Sequence, residues 1–184
     1  ARNTFDVPFA EENFRKMLTV LREGGHEIVG SHELLFDGVT ASAAINDLVK
    51  ADIDQLLIVQ VTFTDASAAI EAADALDVPL SIWAMPEPRL GGRLRLNAFC
   101  GLNLASHALS LRKRVFSYAY CSPDSPNALQ NLNDLLSGGN QSELLDASDV
   151  TSTVNALSTK IVNALKGSRI ARLGEHPVGF DTCS

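Results

Sequence analysis

The hydrophobic patterning predicts an α/β fold, a doubly wound parallel sheet with helices on both faces. Gln55–Val61, QLLIVQV, is apolar almost without alternation, as expected of a strand covered on both faces. The short apolar run bounded by Pro79 and Pro86 suits a second, buried parallel strand. Stretches of roughly 10–20 residues with helical spacing separate the strand signals, and crossovers of that length connect parallel strands. The predicted architecture is therefore flavodoxin/Rossmann-like.

In order, Phe14, Met17, Leu18 and Leu21 form a core-facing stripe that Gly24-Gly25 stops, giving a helix from about Phe9 to Glu23. Glu27–Val29 and Leu34–Phe36 are short apolar pieces, one or both expected as strand. Ala44, Ile45, Leu48 and Val49 mark a second helix. Gln55–Val61 follows and is expected to be central and fully buried. Thr62-Phe63-Thr64-Asp65 can cap the helix that carries Ile70, Ala73 and Leu76, or can open as a strand-end loop. Leu96–Leu111 reads as a helix, with Asn103 and His107 four residues apart, and is apolar enough to bury a second face against another domain or subunit. Val115–Cys121 is a strand, Ser122–Asn127 a turn, and Leu129, Leu132 and Leu136 a short helix. Val150, Val154, Leu157, Ile161 and Leu165 give the longest amphipathic helix, and Arg169–Leu173 closes with a strand.

Composition narrows the function. At 184 residues, 46% hydrophobic and 20% charged, the chain suffices for one domain, residues 1–184. A net charge of -7 and a pI near 5.0 argue against nucleic acid or an anionic membrane as partner. Cys100, Cys121 and Cys183 lack metal or disulfide spacing, so they are expected reduced, in a cytoplasmic protein. No apolar stretch reaches the roughly 18 residues of a membrane span, and no leader is recognisable. The chain opens on Ala1-Arg2, and Arg2-Asn3-Thr4 reads as the loop after a first strand that is absent, so a fragment is expected.

The stretch Leu80–Asn97, LSIWAMPEPRLGGRLRLN, locates a candidate site. An apolar strand empties into Pro86-Glu87-Pro88-Arg89 and Gly91-Gly92-Arg93, too charged for a core, and open α/β sheets bind ligands beyond strand carboxyl ends. The plainer alternative is a surface loop with solvated charges. No GxGxxG, GxxxxGK[ST] or GxSxG pattern is present. His26, His32, His107 and His176 are too scattered to make a metal site alone. The residues thus indicate a site and no reaction.

Three stretches, TFDVPFAEE (Thr4–Glu12), WAMPEPRLGGRLRLNAFCGLNLASHAL (Trp83–Leu109) and RLGEHPVGFDTC (Arg172–Cys183), resemble the amino-terminal domain of the L-fucose/L-arabinose isomerase-like family. ELLFD (Glu33–Asp37) and QVTFTDAS (Gln60–Ser67) fall in matching order, so the resemblance covers nearly the whole chain. It implies a parent enzyme that interconverts an aldose and a ketose sugar with a divalent metal, usually manganese. The family's catalytic and metal-binding groups lie in later domains, so the resemblance implies no catalytic residue, no metal ligand and no activity for this stretch alone. It implies contacts to the sugar from Arg2, Phe63, Trp83, Glu87 and Arg89, a structural or interface role for Asn103 and His107, and a homo-oligomer, trimer or hexamer. Beside this stand a stand-alone, non-catalytic module binding a sugar or other small polar ligand, and a purely structural assembly domain.

Overall fold

The computed structural model describes residues 5–139, 152–169, 174 and 179. The chain divides into two compact units, Ala1–Ser142 with Val178–Ser184, and Glu143–Pro177.

In the first unit three strands, β1 (Leu56–Gln60), β2 (Leu80–Ala84) and β3 (Ser117–Tyr120), form a parallel sheet in the order β1-β2-β3. Leu56 pairs with Leu80 and Ser81 with Ser117, so the strands run nearly level and their carboxyl ends share one rim. Five helices surround the sheet: α1 (Val7–Glu23), α2 (Gly38–Lys50), α3 (Ser67–Ala75), α4 (Ala98–Leu111) and α5 (Ala128–Leu136). α1 and α5 cover one face through Phe14, Met17, Leu21, Leu132 and Leu135, which pack around Trp83 and Ala119. α2, α3 and α4 cover the other through Ile45, Ala72, Leu102 and Leu109, around Leu80, Ile82 and Ala84. The expected α/β architecture with helices on both faces is therefore present.

Local chemistry sets the helix starts. Asp6 caps α1 by accepting from the Phe9 N–H at 3.1 Å, and Pro8 stands in the first turn where no N–H is needed. The helix accordingly starts at Val7, earlier than its apolar stripe. Asp37 caps α2 through the Thr40 N–H at 2.8 Å. The Thr62–Asp65 segment supplies no side-chain cap to α3, although the Asp65 carboxylate accepts from the Ser67 N–H at 2.9 Å. α4 enters through Asn97 in the left-handed region at φ 55°.

The structure corrects two expectations. Among the described residues β1 is an outer strand with Leu57, Ile58 and Val59 half-buried, whereas β2 is central and buried throughout. Unbroken apolarity reports helices on both faces of a strand and says nothing of its edges. Residues 27–29 and 34–36 form no strand, because a strand needs a partner to receive its backbone groups. The strand expected over Arg169–Leu173 lies outside the described residues, apart from Arg169. In the second unit α6 (Ser152–Leu165) places Leu157, Ile161 and Leu165 on one exposed stripe, and Val150 lies outside the described residues.

The two strands differ in what they contribute to stability. Ile82→Ala is expected to cost about 3–4 kcal/mol in denaturant unfolding, because Ile82 is fully enclosed, and Ile58→Ala about 1–2 kcal/mol. Equal losses would mean that the edge and centre of the sheet have been assigned in the wrong order.

Candidate functional site

Residues 61–66 leave β1 and residues 85–97 leave β2 at the common rim. The longer loop is shaped from inside by Glu87. Its carboxylate accepts the backbone N–H groups of Arg95, Leu96 (3.0 Å) and Asn97 (2.8 Å), while its own N–H donates to the Tyr120 hydroxyl at 3.2 Å. One side chain thereby folds residues 88–94 into a closed excursion whose ends are fixed. Burial is the largest single influence on Glu87 and pushes its carboxyl upward, but the N–H donors of Asn97, Arg95 and Leu96, with the Arg95 charge, outweigh it. The net result is a value below that of an ordinary glutamate.

Arg95 continues the lattice. Its Nε and one terminal nitrogen both donate to Oδ2 of Asp6, at 2.9 and 2.6 Å, and its guanidinium lies 3.9 Å above the centre of the Phe9 ring. The Arg95 side chain, then the Phe9 N–H, hold the Asp6 carboxyl below its usual range. The Arg95 carbonyl accepts the Asp6 N–H at 3.0 Å, and the Leu96 carbonyl accepts the Phe63 N–H at 2.8 Å. The start of α1, the β1 loop and the β2 loop are thus one connected structure. Gln60 supports the shorter loop by donating to the Thr62 carbonyl (2.6 Å) and the Thr64 hydroxyl (2.9 Å). α4 approaches so closely there that a Cβ on Gly101 would stand 2.5 Å from the Gln60 amide nitrogen.

The sequence-predicted residues separate on this framework. Phe63 is half-buried at the rim with its ring centroid 6.3 Å from that of Phe5. Arg89 is exposed on the excursion and makes no hydrogen bond or ion pair among the described residues, so the loop is pinned by Glu87 and not by an Arg89–Glu87 pair. Trp83 is 1% exposed and donates its indole N–H inward to the Cys121 carbonyl at 3.0 Å, so it supports the rim from below. Glu87 spends its oxygens on the backbone. Arg2 lies outside the described residues. Asn103 and His107 are exposed on the outer face of α4, in line with Phe99 and Leu111, and the Phe99 ring lies 5.1 Å from that of Tyr120, tilted by 55°. On this face of the sheet Tyr118 and Tyr120 stay 40% exposed beside α4.

Sequence reasoning passed over Asp6 and Arg95. Asp6-Val7-Pro8 does carry a helix-start signal, whereas nothing in the sequence links Asp6 to a residue 89 positions away. No group of three or more His, Cys, Asp or Glu side chains among the described residues could hold a metal ion. The rim offers hydroxyls, an aromatic face, the Asp65 carboxylate and the exposed Arg89 guanidinium, groups that can hydrogen-bond to and stack on a polar ligand.

The family model described as fucose/sulfoquinovose isomerase, N-terminal domain, matches residues 1–158. A sulfoquinovose isomerase of Alkalicoccus urumqiensis is 27% identical over 180 residues, covering 98% of this chain and 36% of that protein. The sulfoquinovose isomerase of Priestia megaterium (strain ATCC 12872 / QMB1551) is 25% identical over 179 residues, covering 97% and 36%. That of Clostridium sp. (strain MSTE9) is 24% identical over 180 residues, covering 96% and 35%. The chain thus spans about a third of the length of these curated relatives. No solved structure matches at the same level of significance.

Glu87→Gln tests the clasp. The carboxamide cannot offer two acceptor oxygens, so a loss of about 1 kcal/mol is expected once solvent screening of this half-exposed group is allowed for. Because the Glu87 pKa is lowered on folding, its contribution is complete above the ordinary glutamate value of 4.5 and disappears as pH falls through the lower folded value. The stability gap between the native chain and Glu87→Gln should therefore close in acid. A gap that is independent of pH would remove the charge from the explanation.

Proposed function

The chain belongs to the fucose/sulfoquinovose isomerase N-terminal domain family, and from that premise we propose that it is the substrate-recognition and assembly domain of a metal-dependent aldose–ketose isomerase. The observation that carries the reading is the rim, where a rigid carboxylate-clasped loop presents the free Arg89 guanidinium and the adjoining loop presents Phe63. The fork of a guanidinium bridges two neighbouring oxygens of a polyhydroxylated ligand, and an aromatic ring covers the apolar face of a sugar. A sugar of the fucose or sulfoquinovose type is the proposed substrate. The remainder of the parent protein supplies the divalent metal and the groups that move the proton between C1 and C2.

The outer face of α4 and β3 supports the assembly half of the proposal. Phe99, Leu111, Tyr118 and Tyr120 are between 40% and 58% exposed there, with Asn103 and His107 in the same row. Exposed apolar groups concentrated on one face suit contact with a second subunit of a homo-oligomer, and the net charge of -7 does not suit nucleic acid.

In the full-length protein, Arg89→Ala should raise KM for the sugar about tenfold, the loss of roughly 1.4 kcal/mol of binding, and leave the melting temperature unchanged. The same KM in both proteins would remove Arg89 from the substrate site. Sedimentation of the 184-residue chain should show a concentration-dependent oligomer that Phe99→Ser together with Tyr120→Ser converts to monomer. A chain that stays monomeric at high concentration would overturn the assembly role.

A further inference from the structure

The loop that leaves β1 is held by three separate segments, and two of the approaches leave no room for a side chain. From the end of the strand, the Gln60 carboxamide donates to the Thr62 carbonyl at 2.6 Å and to the Thr64 hydroxyl at 2.9 Å. Gln60 is 5% exposed, so a displaced carboxamide would find little water to replace those acceptors. Gly101, in the first turn of α4, lies against it. A Cβ there would stand 2.5 Å from the Gln60 amide nitrogen, 2.9 Å from its Cδ and 3.2 Å from the Thr64 backbone nitrogen. Unbonded heavy atoms settle at about 3.5–4.0 Å, so a side chain at 101 would push the carboxamide off both acceptors.

The second approach comes from far along the chain. The Gly179 carbonyl accepts the Ala66 N–H at 3.2 Å, which satisfies a donor on a residue that no water reaches. Gly179 has φ 80°, in the left-handed region, and a Cβ on it would stand 2.6 Å from the Ser67 hydroxyl oxygen and 2.9 Å from Cγ of Asp65. Between the two approaches the Phe63 N–H is tied to the Leu96 carbonyl at 2.8 Å.

We propose that Gly101 and Gly179 are positioning residues of the substrate site. Gly101 acts through Gln60 on residues 62–64 and so sets where the Phe63 ring is presented. Gly179 acts through Ala66 on residues 65–67 and sets the Asp65 carboxylate. The proposal rests on the reading of the rim as the part that contacts the sugar. A purely structural role fits Gly101 less well. Glycine is a poorer helix former than alanine, and the end of the Gln60 side chain can swing aside, so a substitution displaces the loop more than it harms the fold.

Steady-state kinetics of the full-length protein on sulfoquinovose and on fucose test this. Gly101→Ala and Gly179→Asn should each raise KM about tenfold and change kcat less than twofold. Asparagine tolerates the left-handed backbone, so the second variant isolates the loss of space. Leu109→Val, about two turns further along the buried face of α4, should lower Tm at least as much as Gly101→Ala and leave KM unchanged. In a Gln60→Ala background, which removes the group that Gly101 makes room for, Gly101→Ala should change KM less than twofold. In amide exchange of the 184-residue chain, Phe63 should exchange at least tenfold faster in Gly101→Ala, and Ala66 in Gly179→Asn, relative to Ile82 at the centre of the sheet. Phe63→Ala examines the rim itself: an unchanged KM in that variant takes the loop out of the substrate site, and the positioning role falls with it. A raised KM in Phe63→Ala, with KM and the loop amides unaltered in the two glycine variants, overturns the positioning role alone. A lowered Tm with unchanged KM in both glycine variants overturns it as well.

Discussion

Leu80–Ala84 lies between two helical layers and between two strands, and no residue of it reaches water. Every polar atom it carries must be matched inside the protein. Ser81 accepts from the Gln55 amide at 2.8 Å and the Trp83 indole donates to the Cys121 carbonyl, so both polar side-chain groups find partners without solvent. Its alternate side chains divide between two cores, with Leu80, Ile82 and Ala84 in one and Trp83 in the other. A strand held in this way cannot slide, because a shift by one residue would drive an indole into the layer built for Ile82 and Ala84. Everything that follows it in the chain departs from a fixed point.

That fixed departure is what permits the rim to be built from charges. Asp6 serves two elements at once, with Oδ1 capping α1 and Oδ2 holding Arg95. Arg95 rests on Phe9, and its own backbone N–H is held by Glu87. The attraction between ions in partly exposed positions is modest. Shared donors and acceptors make the members of the group mutually dependent, however, so the helix start and both loops are ordered together.

The layers were legible in the sequence because periodicity reports which faces of an element are covered. The stripe Phe14, Met17, Leu18 and Leu21 packs into one core where its spacing places it, and the stripe of the second helix joins the other core through Ile45 and Leu48. Edges are not encoded that way, and β1 was therefore expected at the centre although it lies outside. The site was legible as a place and much less as a set of residues. Trp83 and Glu87 attracted notice because they stand near an exposed, charged loop, yet one faces the core and the other faces the backbone. Contacts such as Asp6 with Arg95 are made by the tertiary fold and leave no local pattern to read.

The carboxylate clasp has an evolutionary consequence. Glu87 recognises three backbone N–H groups, which any residues other than proline can provide, and so it places no demand on the side chains of residues 88–94. The excursion is in effect an interchangeable cassette between fixed ends. On the proposed reading of the rim, substitutions there would alter what it grips without disturbing the core, and a lineage could diversify its ligands by changing a handful of codons while the scaffold stays under separate selection.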